Sequence, residues 1–413
     1  MSALLYVLIC ISLLSSLAQA EVSNCLSIKS VEGLYECIVI NHPEIKSAEL
    51  SVEAAKSAND KITQLPNPEV SISSMQGKNA GENEGSTELS LSINLTETLL
   101  KRAPLSKLGR AEEKVLIVDA QESVFRAKSQ ALKNLYRYRQ VLDELELVME
   151  ALETFKKIEN QFKARRARGP EQSVTLNLVE LAQGDYELQR NHLNAEKTKI
   201  ETEFKGVFGE SFILKKEWLP KLKKNWPPMT GTELSKQTFE VRKFEAEKEK
   251  AEAEKSIAMA ESMPKIAAGP SMQRTTTGTA QYMSYGLNLT VDLPIFSLNG
   301  GGRRLAEKNL SKSQYTFEYA MKKADLEKKL LLQIYSAAVE SLKKSITIES
   351  LKKKHDQIDS LFRQGLTAGP TVIEAHRQIS EFHKSQHEHE MEALESLMYL
   401  NVLSNKEIGE VLK

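Results

Sequence analysis

Three histidines offer the most recognisable chemistry in the chain. His376, His383 and His387 sit at i, i+7 and i+11, so one helix face carries all three. Imidazoles in such a row could ligate a transition metal. One ion cannot be held by all three, because seven residues of helix rise about 10 Å. His383 and His387 alone keep the i,i+4 spacing of neighbours on a helix surface. A solvated helix face is the favoured reading of the row, with His383 and His387 retained as metal candidates. The sequence holds no nucleophile–base constellation, no phosphate-cradling glycine loop and no clustered metal-ligand motif. Neither an enzyme nor a cofactor is expected.

Composition narrows the remaining classes. Among 413 residues, 56 basic side chains balance 56 acidic ones, for a formal net charge of zero. Binding to phosphate backbones needs a basic surplus, so nucleic acid is not an expected partner. A hydrophobic share of 41% is well above that of a disordered chain. The only long apolar run covers residues 3–17 and ends in Ala18-Gln19-Ala20, a small-x-small pattern. It predicts a secretory signal removed after Ala20, although no Lys or Arg precedes it; a buried N-terminal helix is the alternative. Cys25 and Cys37, 12 residues apart, could close a disulfide in an oxidising compartment or stand as two separate thiols.

The chain repeats itself. Asn94-Leu95-Thr96 returns as Asn288-Leu289-Thr290, and Leu178-Val179-Glu180 as Val372-Ile373-Glu374, each 194 residues on. Gln161-Phe162-Lys163 matches Leu361-Phe362-Arg363, and Gly169-Pro170 matches Gly369-Pro370, each 200 on. Two diverged copies of one unit are therefore expected.

Each copy opens with two stretches of period 2. Val70 and Ile72 lead the first, and Leu89, Leu91, Ile93 and Leu95 the second. In the other copy Ile266 leads, followed by Tyr285, Leu287, Leu289, Val291 and Leu293. An apolar face opposite a small or polar one, over about ten residues, is the pattern of a tilted membrane-barrel strand; a sandwich with one wet face is the alternative. Residues 79–86 and 274–280 read as hairpin loops.

Long helices follow the strands. Residues 104–168 contain a seam at Val141, Leu145, Val148, Leu152, Phe155, Ile158 and Phe162, close to coiled-coil spacing. Residues 299–364 should form the corresponding helix through Val339, Leu342, Ile346, Ile358 and Phe362. The returning arms read as split, 171–207 with 235–262 and 370–403 with 45–64. The expected organisation is a signal (1–20), an equatorial segment and half-helix (21–66), a β-hairpin (67–100) and a helical hairpin (101–207). A second set follows: an equatorial segment and half-helix (208–263), a β-hairpin (264–296), a helical hairpin (297–403) and an equatorial tail (404–413). The fold class is mainly α with a β-barrel part.

Four strands cannot close a bilayer-spanning barrel, whereas three chains would supply twelve. A homotrimeric conduit is expected, with twelve helix columns around the same axis. Asn41-His42-Pro43-Glu44, Leu65-Pro66-Asn67-Pro68-Glu69-Val70, Leu293-Pro294-Ile295-Phe296 with Gly300-Gly301-Gly302-Arg303, and Val372-Ile373-Glu374-Ala375 occur in that order. Over essentially the whole mature sequence the chain resembles the TolC-like outer-membrane efflux channels; Asn67-Pro68-Glu69 and Lys101-Arg102 are similar to its heavy-metal branch. The resemblance implies an outer-membrane barrel completed in a trimer and an α-helical tunnel in the periplasm. It also implies docking to a periplasmic adaptor and an inner-membrane pump, in efflux or type I secretion.

The same resemblance points to the hairpin turns. Gly365-Leu366, followed by Thr367, resembles the family's adaptor-docking signature. Arg168 and Gly169 mark the other turn, which is basic through Lys163, Arg165 and Arg166, and six residues longer before its matching glutamate. Glu374 matches an acidic position lining the channel entrance, where three copies would form an anionic ring. Tyr186 and Glu187 resemble a pair that locks the closed state, though Ala368 stands where the family's basic partner is expected. For each residue the plainer alternative is a helix terminus or a solvent-facing helix position. Two other classes compete with the channel: a periplasmic adaptor or stalk, with one hairpin and a soluble sandwich, and a filamentous coiled coil.

Overall fold

The computed structural model describes residues 28–79, 82–164, 169–223, 225–229, 238–295, 298–404 and 406–412. The expected signal, Cys25 and Arg168 lie outside them. The chain divides into two compact units. One comprises residues 47–123 and 236–327; the other comprises 1–46, 124–235 and 328–413.

The first unit holds the sheet. Strands β1 (Glu69–Asn79), β2 (Glu82–Asn94), β3 (Lys265–Thr277) and β4 (Ala280–Asp292) form an antiparallel sheet in chain order. The register places Val70 opposite Leu91, Leu89 opposite Met272, and Ala268 opposite Leu289. Apolar side chains of all four strands therefore share a face, and on that face Ile72, Leu287 and Leu289 are largely exposed. The opposite face carries Ser71 and Ser90, whose hydroxyls meet at 2.7 Å. Thr96, just past β2, joins the two hairpins: its hydroxyl donates to the Pro264 carbonyl (2.9 Å) and accepts from the Ile266 amide (2.8 Å). Gly269 has no substitute here, since a Cβ would fall 1.7 Å from the Leu91 carbonyl oxygen.

The sheet corrects the two expected loops. Pairing continues to Asn79 with Glu82 and to Thr277 with Ala280. Backbone ladders need no apolar alternation, and the β-branched run Thr275-Thr276-Thr277 favours extension.

Helices α2 (Pro43–Thr63), α3 (Arg102–Lys163), α5 (Phe239–Ala260) and α6 (Gly300–Lys344) contribute to this unit. Their facing sides bury mostly small side chains, among them Ala55, Ala111, Ala253 and Ala320, with Val118 and Val241 the larger ones. Ion pairs such as Lys114–Glu249 and Lys243–Asp119 decorate the exposed seams.

The second unit has the larger core. It is built by α1 (Val31–Asn41), the later part of α3, α4 (Pro170–Phe208), α7 (Ile348–Arg363) and α8 (Gly369–Leu403). Leu132, Leu135, Tyr136, Leu394, Leu397 and Leu400 are buried at its centre, and Trp226 packs edge-on to Tyr335. Cys37 is buried and disulfide-bonded. A further buried cluster runs along the α3 seam, from Val141 through Val148, Phe155 and Ile158 to Val179, Tyr186 and Val372. The expected single helix over 299–364 is broken: α6 ends at Lys344 and α7 begins at Ile348. Ile346, Thr347 and Ile348 are three consecutive β-branched residues, and the Thr347 hydroxyl caps α7 by accepting from the Ser350 amide at 3.3 Å.

Candidate functional site: the hairpin turns and their returning helices

The second turn is built by backbone geometry. Gly365 has φ +76, a left-handed conformation that favours glycine. Its N–H donates to the Phe362 carbonyl (2.8 Å), and that of Leu366 donates to Leu361 (2.9 Å). This paired closure satisfies carbonyls at the end of α7. Leu366 is 70% exposed at the tip. Thr367 is partly exposed, and α8 begins at Gly369 with Pro370 in its first turn. Gly369 is buried; a Cβ there would come 3.0 Å from Thr175 Cγ2 and 3.6 Å from Ile158 Cγ2.

The first turn differs. Gly169 precedes α4, and no atom of the described residues lies within 4 Å of where its Cβ would be. Among the basic residues that precede it, Lys163 is described, and it pairs with Glu159 and with Glu180 (3.4 Å).

The residues of the returning helices separate into buried and exposed sets. Tyr186 is buried, edge-on to Phe155 at 5.2 Å. Burial pushes its phenol up to about 12, with Asp185 adding to the shift. Glu187, next to it, is half-buried and pairs with Arg190. Glu374 is exposed and accepts from Arg377 through both oxygens, at 2.7 and 2.9 Å, and from Gln378 at 2.8 Å. These donors hold its carboxyl at about 2. Arg377 also reaches Glu381. Glu374 and Glu187 thus carry the same i,i+3 acid–arginine pairing on α8 and α4.

The histidine row corrects the solvated-face reading. His376, His383 and His387 are all buried, because this face of α8 lies within the second unit rather than on its surface. His387 Nδ1 lies 2.7 Å from Glu144 Oε1 on α3, and Arg137 binds the same Glu144 at 2.8 Å. His383 Nδ1 is buried with no hydrogen-bond partner, and burial with His387 nearby pushes its imidazole down to about 4. His376 meets a residue that sequence reasoning passed over, His355 of α7, with their Nε2 atoms 3.3 Å apart. A signal existed in the i,i+4 pair His355 and Asp359, but only the register of the folded hairpin shows that His376 faces it.

Sequence reasoning also missed a buried polar cluster deeper in this unit. Glu390 of α8 is fully buried and paired with Arg139 of α3. Gln140 donates to the same carboxylate at 2.9 Å, and the Lys223 amide approaches its other oxygen at 3.4 Å.

Among the described residues no helix is long and apolar enough to cross a membrane. No protein-family model matches the chain, and no curated protein matches it. Solved structures do. A membrane protein from Pseudomonas aeruginosa is 16% identical, with a TM-score of 0.69 over 92% of this chain and 91% of that one. The Campylobacter jejuni CmeC outer membrane channel is 14% identical, with a TM-score of 0.67 over 91% and 85%. The open state of the Neisseria gonorrhoeae MtrE outer membrane channel is 11% identical, with a TM-score of 0.66 over 92% and 90%. With long helices, a four-stranded antiparallel sheet and this likeness across nearly the whole chain, the fold is that of the TolC-like outer-membrane efflux channels.

Proposed function

We propose that the chain is one protomer of a trimeric outer-membrane channel, which passes pump-delivered substrates from the periplasm to the exterior. One observation carries this reading. The four-stranded sheet exposes its apolar face, and the outer edges of β1 and β4 meet no further strand among the described residues. Lipid suits such a face but not unpaired strand edges. Joining β4 of each copy to β1 of the next removes every edge at twelve strands. The helices then belong in the periplasm, and their turns are the contacts for a periplasmic adaptor coupled to an inner-membrane pump. Gly365, Leu366 and Thr367 form one contact, and Arg168 and Gly169 the other. Tyr186, Glu187 and Glu374 belong to the entrance.

Extraction of outer membranes with detergent, followed by mass measurement, tests the core of this reading. A trimer that conducts ions in planar bilayers is the expected result; a soluble monomer without detergent overturns it. Docking is tested separately with crosslinkers at Leu366→Cys and Arg168→Cys, which should capture a periplasmic adaptor.

A further inference from the structure

We propose that His355, Asp359 and His376 form a binding site for one zinc-class divalent cation that staples α7 to α8. His355 and Asp359 lie one turn apart on α7, so both side chains leave the same helix face. The turn at residues 364–368 folds α8 back and brings His376 level with them. The three potential ligand atoms all lie within 4.8 Å of one another.

The distances suit a metal better than a hydrogen bond. The two Nε2 atoms are 3.3 Å apart, long for a hydrogen bond. Two zinc–nitrogen bonds of 2.0–2.1 Å at a tetrahedral angle span about 3.3–3.4 Å. His376 Nε2 and Asp359 Oδ1 are 3.9 Å apart, a gap that a small torsion of the aspartate narrows. An imidazole–imidazole hydrogen bond would also leave Asp359 unexplained. Its Oδ1 is buried with no hydrogen-bond partner, which is costly for a carboxylate oxygen. A cation between the three groups would give that oxygen a partner.

The surroundings match an outer layer of ligand support. Glu150 of α3 places Oε1 3.7 Å from His355 Nδ1. That gap exceeds a hydrogen bond, and a rotation of the glutamate that closes it would orient the ring so that Nε2 is left to the metal. Phe155 stands edge-on to His376, with ring centroids 5.5 Å apart. Two imidazoles and one carboxylate, with a fourth position for water, favour zinc or cobalt over magnesium or calcium, which prefer oxygen ligands. The staple would fix the 16-residue α7 between its break from α6 and the turn at Gly365.

The test uses the full-length chain in detergent, stripped with a chelator and titrated with zinc against a chromogenic competitor. One zinc per chain is expected. His355→Gln and His376→Gln should each weaken binding by more than a hundredfold, and Glu150→Gln by roughly ten- to a hundredfold, as for the loss of an outer-layer partner. Zinc should raise the melting temperature of the wild type and leave that of the His355→Gln/His376→Gln double variant unmoved. Cobalt substitution of the wild type provides a readout independent of any variant's folding, namely the intense visible band of a tetrahedral site. Absence of that band, zero zinc per stripped wild-type chain, or equal affinity in wild type and double variant would overturn the site.

Discussion

The two helical hairpins solve the same problem differently. The first carries its outgoing arm as one unbroken helix of 62 residues, α3. The second divides the task between α6, with 45 residues, and α7, with 16. Where α3 buries Val141, Val148, Phe155 and Ile158 in a regular seam, α7 offers only the half-buried Ile358 and Phe362 to the same cluster. A continuous apolar seam keeps a long helix whole, because packing rather than propensity supplies most helical stability. Without it, three β-branched residues and a threonine cap suffice to interrupt the second arm. The second hairpin therefore depends on the first for its core, and its turn packs through Gly369 against Thr175 and Ile158.

The strongest test of that dependence lies in the buried polar cluster. Arg139 belongs to the first hairpin and Glu390 to the second. Arg139→Met leaves a fully buried carboxylate without its cation, which should cost about 3–5 kcal/mol. Adding Glu390→Leu should restore most of the loss, since an apolar pair of similar volume avoids the stranded charge. Thermal or denaturant unfolding of both variants measures this. Equal destabilisation by the single and double variants would mean that packing, not charge, joins the hairpins here.

A second comparison concerns pH. His383 is held neutral in the fold, with its pKa pushed to about 4 by burial and by His387, while Glu144 opposes the shift. The unfolded chain has an ordinary imidazole near 6.5, so between 6.5 and 4 the unfolded state binds the extra proton. Stability therefore rises with pH across that window and is lost as pH falls through it. Full protonation of the unfolded histidine corresponds to on the order of 3 kcal/mol. His376, which burial also pushes down to about 4, contributes over the same window, so His383→Leu should reduce, without abolishing, the slope of melting temperature against pH between 6.5 and 4. A profile as steep as that of the wild type would place the titrating group elsewhere.

These effects also separate what was legible in the sequence from what was not. Leu89, Leu91 and Ile93 marked a strand because a half-polar sheet face imposes period 2, and Val141 to Phe162 marked a helix because a seam imposes 3–4 spacing. The strand ends at Asn79 and Thr277 carried no such signal, since backbone pairing there is indifferent to side-chain polarity. The break at Ser345–Thr347 was hidden behind an apolar spacing that Ile346 continues but does not bury. The docking and entrance residues were named by resemblance, and the positions of the described ones, all but Arg168, on the turns and returning helices follow from the folded hairpins. His355 beside His376, and Arg139 beside Glu390, depend on the register between distant helices. Spacing along a single helix holds no information about that register.

The two turns give a finer test. Gly369→Val should cost about 1–3 kcal/mol, because overpacking must displace Thr175 or Ile158. Gly169→Ala, with open space around it, should stay within about 0.5 kcal/mol of wild type. Paired melting curves suffice. Similar losses at both glycines would show that the turns are equivalent despite their different surroundings.

The smallest effect on stability belongs to the acid–arginine pairs, where the two hairpins agree. Glu187 with Arg190, half-buried, and Glu374 with Arg377, exposed, are solvent-accessible pairs on the returning helices. Pairs of this kind contribute little to folding, so Glu187→Gln and Glu374→Gln should leave the melting temperature unchanged. The proposed entrance gives Glu374 a different role. Arg377 offsets part of its charge within a protomer, yet Glu381 shares that arginine, so the group Glu374–Arg377–Glu381 remains net negative. Threefold repetition would favour cations at the entrance. Reversal potentials in planar bilayers under a salt gradient should therefore show lower cation selectivity for Glu374→Gln than for the wild type. Arg377→Gln, which unmasks two carboxylates, should raise it. If both variants keep the wild-type reversal potential, Glu374 does not face the conducting path, and the likeness between the two hairpins ends at surface ion pairing.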